Sequence, residues 1–247
     1  PLRYGWQVAL GALLTIGLLY PILGTRGRWM NRFNAEDTPL TLDGMDYMPH
    51  AIHGENGGWF SLGDDYRLIR WLQEHVEGTP VIMEGHAFPS EYKWNARVSI
   101  YTGLPTVLGW RFHQVQQHSL PLLDQVIVTR ENNIAAFYGL TGRDGIEAAW
   151  RLIDAYDIEY VVVGVLERVY YGDILIDPEM GLPTAGHSPA LAKFEDMVEM
   201  GLLARVYEEP GCLALDVEEC PVESVYINTI YRVVPGAARQ AVDRVAK

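Results

Sequence analysis

The stretch RLIRWLQEHVEGTPVIMEG, Arg67 to Gly85, decides the fold. Leu68, Ile69, Leu72 and Val76 recur at i, i+1, i+4 and i+8, which places them on one face of a helix. Asp64 and Asp65 stand just upstream as candidate N-caps, and Gly78 supplies a stop. Pro80 to Glu84 then reads as a short buried strand. A helix, a tight turn and an apolar strand make one α/β unit.

The alternation continues downstream. Arg97 to Tyr101 predicts a single helical turn, and Pro105 to Trp110 (PTVLGW) a second buried strand. Arg111 to Ser119 and Leu123 to Tyr138 read as helices. Thr141 or Asp144 caps another, with Ile146, Ala149, Trp150 and Ile153 on one face. Tyr160 to Gly164 (YVVVG) is a strand, because its β-branched residues run together. Ser188-Pro189 opens a helix by the rule of N-cap followed by proline. Leu203 to Tyr207, Cys212 to Val217 and Val225 to Val233 read as strands of an antiparallel meander. The expectation is a soluble, three-layer-like α/β domain over 64–234, with a mixed sheet, a C-terminal antiparallel meander and a polar tail over 235–247. Residues 31–63 are rich in Gly, Asp and Pro without a sustained period, and predict an irregular connector.

Upstream, Tyr4 to Leu23 (YGWQVALGALLTIGLLYPIL) carries no charge. At 1.5 Å rise per residue, about 20 residues cross a hydrocarbon core of about 30 Å. Tyr4 and Trp6 at one end and Tyr20 and Trp29 near the other suit the two interfaces. Pro21 falls in the expected last turn. The apolar run is long for a signal peptide and lacks a small-residue cleavage pattern, so residues 1–30 are assigned to a transmembrane helix and its flank. Gln7, Gly11, Ala12 and Gly17 fit a helix that packs on others, and a chain starting Pro-Leu-Arg is expected to be part of a longer membrane protein.

Charge divides the chain in the same place. Residues 1–33 hold Arg3, Arg26, Arg28 and Arg32 and no acid, so the remainder carries 19 − 4 = 15 basic against 32 acidic residues, a net charge of −17. That field repels phosphodiester backbones, and nucleic acid is excluded as a partner. Cys212 and Cys220 are compatible with a disulfide across a turn or with two separate buried thiols, and their spacing fits no zinc motif.

Ligands of open α/β sheets gather beyond the C-terminal ends of parallel strands. Two of the expected strands end in polar clusters: Glu84, His86, Glu91, Tyr92 and Arg97 after the first, then Trp110, Arg111, His113, Gln114, Gln117 and His118 after the second. If those strands are neighbours, Glu84, Arg97, Trp110, His113, Gln114 and Gln117 line one edge. A carboxylate, imidazoles, a guanidinium and aromatic faces suit a sugar or phosphate, with His113 as acid/base and Glu84 as its partner. Each also has a structural account: Glu84 capping backbone groups, Arg97 pairing with it, and His113 and Gln114 satisfying loop carbonyls. Glu167-Arg168 either joins that edge or clamps its loop by ion pairing. There is no GxGxxG after a strand, no P-loop, no GxSxG elbow and no HExxH.

The run RVSIYTGLPTVLGWRFHQVQQHS (Arg97 to Ser119), followed by IEYVVVGVLERVYY (Ile158 to Tyr171), resembles the YYY-type family of polytopic membrane proteins, a family of unknown function. LDGMDYM, the Arg67 to Gly85 stretch and the closing VYINTIYRVV stand in the expected order. His118 departs from the pattern, which often has an arginine there. The family is similar in layout to GT-C membrane glycosyltransferases, which use lipid-phosphate-linked sugars. The resemblance implies a glycosyltransferase-like parent protein whose catalytic carboxylates, and any divalent cation, belong to a transmembrane part outside this sequence. It also implies a membrane lipid, a lipid-linked sugar and the rest of a polytopic protein as partners. The alternative is a non-catalytic accessory or scaffold subunit of a larger membrane complex. The arginines after the helix favour a cytoplasmic domain; the resemblance implies the cell membrane with the domain outside the cytoplasm, and that placement is adopted as the expectation.

Overall fold

The computed structural model describes residues 2–32, 39–55, 58–86, 92–118, 120–172, 174–176, 183–186, 188–214, 220 and 224–237. They fall into two compact units, Pro1–His50 and Ala51–Lys247. The first unit is dominated by helix α1, Leu2–Arg32. Its segment Arg3–Met30 is 28 residues long and contains an 18-residue window of mean hydropathy 1.9, long and apolar enough to cross a membrane. The helix runs through Pro21 and beyond, where the sequence predicted its last turn. Proline removes one backbone donor and its ring presses on the carbonyl four residues back, which here belongs to Gly17. The unit closes with turns and a 3-10 helix, Met48–His50.

The second unit begins with a hairpin of β1 (Ile52–Glu55) and β2 (Gly58–Ser61), paired from Ile52↔Ser61 to Glu55↔Gly58. These residues lie within the expected irregular connector, so that expectation is corrected. The overlooked signal is Asn56-Gly57, a dipeptide typical of two-residue hairpin loops. Helix α2, Gly63–His75, follows with Leu68, Ile69 and Leu72 buried. Strand β3 (Val81–Met83) and the short helix α3 (Arg97–Thr102) come next. Pro105 to Trp110 is not the strand expected of it. Its backbone pairs with β3 through an isolated parallel bridge at Ile82↔Thr106, where the Ile82 N–H donates to the Pro105 carbonyl at 2.8 Å. Proline lacks the N–H that a ladder would use, and Gly109 weakens a strand.

Helices α4 (Arg111–Gln117), α5 (Leu123–Gly139) and α6 (Gly142–Tyr156) lead into β4, Ile158–Val163. Then come α7 (Val165–Tyr170), the small antiparallel pair β5 (Ile174–Ile176) and β6 (Pro183–Ala185), and α8 (Pro189–Glu199). The Ser188 hydroxyl caps α8 by accepting from the Ala190 N–H at 3.3 Å. Strands β7 (Leu203–Cys212) and β8 (Val225–Val233) complete a four-stranded mixed sheet of order β3-β4-β8-β7. β3 and β4 are parallel, and the other neighbours are antiparallel. The first expected meander strand, Leu203 to Tyr207, runs on to Cys212, with a register shift between Arg205 and Tyr207; of the expected strand Cys212 to Val217 only Cys212 belongs to β7, and Leu213 and Ala214 are not strand. Residues 215–219 lie outside the described residues.

Alternation along β3, β4 and β8 builds three layers. Met83, Val161, Val163 and Tyr231 join Ile134, Phe137, Ile153 and Phe194 in one core with α5, α6 and α8. Ile82, Val162 and Ile230 are fully buried on the opposite face, the side on which α2 packs across β7 and β8. The α/β class is as expected. Cys212 and Cys220 form a disulfide, with Cα atoms 5.8 Å apart, which decides between the two readings of the cysteines.

Candidate functional site

β3 and β4 are parallel and side by side, so their C-terminal ends open at the same edge of the sheet. Gly85 follows one and Gly164 the other. Glu167, in the first turn of α7, accepts from the Gly85 N–H at 2.7 Å and the Gly164 N–H at 2.9 Å. Both positions leave little room for a side chain: a Cβ at Gly85 would lie 2.9 Å from Glu167 Cγ, and one at Gly164 would lie 3.0 Å from Arg97 Nη2.

Arg97 reaches the same point from α3. Its Nη1 and Nη2 donate to the two Glu167 oxygens at 3.1 and 3.0 Å, and its Nε donates to Asp65 Oδ2 at 2.8 Å. Glu84 lies 3.9 Å from Nη1 and accepts from the Val98 and Ser99 N–H groups at 3.0 and 3.1 Å, satisfying the start of α3. Arg97, Asp65 and Glu167 are at most 1% exposed and Glu84 is 2% exposed. One guanidinium thus faces three buried carboxylates. Burial lowers the Arg97 pKa, but the charges of Asp65 and Glu167 outweigh it and hold it well above the usual value. Burial pushes Glu167 up, and Arg97 with the two glycine N–H groups more than reverses this, leaving its pKa lowered. Burial dominates at Glu84 and pushes its carboxyl up to about 7 against the pull of Arg97. The network therefore holds one proton more readily than isolated carboxylates do.

Asp64 and Asp65 are not helix caps. The α2 N-cap is Leu62, without a side-chain hydrogen bond. Asp65 Oδ2 accepts from Trp94 Nε1 at 2.7 Å as well as from Arg97, and Asp64 accepts from Arg67 and from the Tyr226 hydroxyl. Asp65 Oδ1, the Asn95 side-chain atoms and the Tyr170 hydroxyl are buried without a hydrogen-bond partner among the described residues. Among those residues no three His, Cys, Asp or Glu side chains converge on a point that would hold a metal ion.

The second polar cluster lies on the surface. Trp110 donates its indole N–H to the carbonyls of Lys93 and Asn95, both at 3.1 Å. This anchors the loop between β3 and α3 from outside, while Trp94 anchors it from inside. His113 stacks on Trp110 at 5.3 Å between ring centroids, and Tyr92 meets His113 edge-on at 5.1 Å. Phe112 stands 6.2 Å from Tyr92. Tyr92 is 55% exposed and has φ of 59°, in the left-handed region that a bulky side chain seldom adopts.

The single expected edge is therefore two places. Glu84 and Arg97 are interior and do not line an open site. Trp110 and His113 share the aromatic platform with Tyr92. Gln114 is half-buried in a groove with Leu108, His118 and Arg130, and Gln117 is exposed at the end of α4. The expected His113 and Glu84 acid/base pair does not form: His113 contacts rings, and Glu84 serves backbone N–H groups and Arg97. Sequence reasoning missed Asp65 as an Arg97 partner because two acids before an apolar helix read as caps. Of the two readings of Glu167, the ion-pair clamp is the one formed.

The fold and site define a class: an α/β domain carrying an apolar helix long enough to cross a membrane, a buried ion network at the sheet edge and an aromatic platform beside it. Comparison with protein families, with curated proteins and with solved structures finds no match.

Proposed function

We propose that this chain is the membrane-anchored soluble region of a GT-C-like protein of the YYY type, and that it contributes sugar contacts through Tyr92, Trp110 and His113. One observation carries this reading: three rings are held together at the surface, with Trp110 fixed by two loop carbonyls. A fixed, half-exposed aromatic face beside an imidazole suits the apolar faces and hydroxyls of a pyranose, and requires little ordering on binding. The role is binding and orientation. Catalytic carboxylates are assigned to a part of the protein outside this sequence. The disulfide supports a domain in an oxidising compartment, outside the cytoplasm, against the contrary pull of Arg26, Arg28 and Arg32.

The test is binding of a polyprenyl-phosphate-linked sugar to the full chain in detergent micelles, by calorimetry, for wild type, Trp110→Ala and His113→Ala. Losing one aromatic face worth about 1–1.5 kcal/mol weakens binding roughly tenfold. Unchanged affinity in both variants sinks the reading. The accessory-subunit reading is favoured by one observation, that Glu84 and Arg97 are consumed by the interior network and leave no carboxylate paired with His113. Absence of sugar binding by wild type itself would select it.

A further inference from the structure

Helix α4 has no buried residue, although it carries Phe112 and Val115. Phe112 is 49% exposed, and the turn that follows presents Leu120 at 63% and Leu122 at 68%. Leu122 has φ of 63° and precedes α5 without a side-chain cap, so a bulky apolar residue is held in a conformation it disfavours and is still turned to the outside. Val126, one turn into α5, is also exposed and lines a groove with Leu108, Gln114 and Leu120. A helix whose apolar residues miss the core points them at something else.

Charge and tether say what that is. From residue 92 to residue 123 the sequence contains no acid, inside a region, 34–247, of net charge −17. Elsewhere an acidic surface is repelled by anionic lipid headgroups; this window has no acid of its own, and its Lys93 and Arg111 offset neighbouring acids, Lys93 pairing with Glu55 at 2.8 Å and Arg111 with Glu131 at 3.2 Å and Asp124 at 3.7 Å. Covalent continuity with α1, which is long and apolar enough to cross a bilayer, keeps the window close to lipid at an effective concentration on the order of millimolar. Weak intrinsic affinity then suffices.

We infer that the face formed by Phe112, Val115, Leu120, Leu122 and Val126 docks on the bilayer surface, with its leucines at the boundary between headgroups and acyl chains. Trp110 and Tyr92 stand at its rim, as amphipathic rings do at membrane interfaces. The docked domain holds the aromatic platform beside the lipid surface. This inference rests on the membrane helix and is independent of the sugar reading, which it adjoins at Phe112.

The experiment uses the full chain in vesicles of phosphatidylcholine and phosphatidylglycerol, without sugar. An environment-sensitive fluorophore is placed on Leu122→Cys, Val115→Cys or, as a reference at an exposed position of α6, Glu147→Cys, with the native disulfide intact. Doxyl lipids are expected to quench the labels at 122 and 115 and not the one at 147, and Leu120→Asp is expected to abolish most of the quenching at 115. Quenching at 122 and 115 no greater than at 147 overturns the inference. A blue-shifted label that doxyl lipids do not quench also overturns it, in favour of a protein covering the face, whether a second copy or another subunit. Failure here leaves the sugar platform standing, and unchanged sugar binding by Trp110→Ala leaves the docking standing.

Discussion

Replacing Arg97 by methionine tests whether the ion network holds the sheet edge together. The guanidinium makes three hydrogen bonds to buried carboxylates, at 2.8, 3.0 and 3.1 Å. At about 1.5–3 kcal/mol for each bond to a charged partner, the gross loss is roughly 5–9 kcal/mol. Methionine fills much of the volume and removes the desolvation cost of the guanidinium, which returns several kcal/mol, so the net loss is about 3–5 kcal/mol, the range for breaking a buried pair from one side. For a domain of this size that corresponds to a fall in Tm of roughly 6–20 °C. The assay is denaturant unfolding of the full chain in micelles, followed by tryptophan fluorescence. Glu167 supplies a second readout. In the native network its pKa is lowered, so it contributes stability above its unfolded pKa that disappears as pH falls through the folded value. Without Arg97 it becomes a buried, uncompensated carboxylate, so the gap between variant and wild type should be widest near neutral pH and should shrink towards about pH 4.5. A loss below about 1 kcal/mol, or a gap that does not change with pH, refutes the reasoning.

Glu84 acts with the opposite sign. Its carboxyl is raised by burial from 4.5 to about 7, so the folded chain binds that proton more tightly, and stability falls by about 3 kcal/mol as pH rises through this window. Glu84→Gln keeps the neutral form and should remove the slope; parallel wild-type and variant curves between pH 4.5 and 7 would show that Glu84 is not its source. Gly85→Ala puts a Cβ 2.9 Å from Glu167 Cγ and should cost about 1–3 kcal/mol by displacing that carboxylate; a neutral effect on unfolding would mean the close approach is relieved freely. Reducing the disulfide, whose cysteines are 8 residues apart, should cost about 2.5 kcal/mol by releasing a short loop, and equal denaturation midpoints with and without reductant would contradict this.

How much was legible follows from the range of the interactions concerned. The apolar run of α1, the β-branched run of β4 and the Ser188-Pro189 start of α8 are local signals, and each produced its element. Pro105 to Trp110 failed as a strand because apolar content was weighed above the missing proline donor, and the β1-β2 hairpin was overlooked because only Asn56-Gly57 announced it. At the candidate site, residue types were legible and their partners were not. The two clusters read as one edge, yet Glu84, His86 and Arg97 are interior while Tyr92 joins Trp110 and His113 at the surface.

Sequence alone determined the membrane-length apolar helix, the acidic domain that follows it, the α/β alternation and the place along the chain where polar and aromatic residues gather. These depend on composition and on periods of two or 3.6 residues, which a chain carries whatever it packs against. Only the tertiary structure decided that Asp65, Glu84, Arg97 and Glu167 meet, that the two cysteines are bonded, and that Tyr92, Trp110 and His113 form one surface. The four ionic residues are brought together by parallel pairing of β3 with β4 and by burial. Burial also changes what they are, since a carboxylate in low dielectric beside a guanidinium is a structural ion, and the same residue in water is a candidate catalyst.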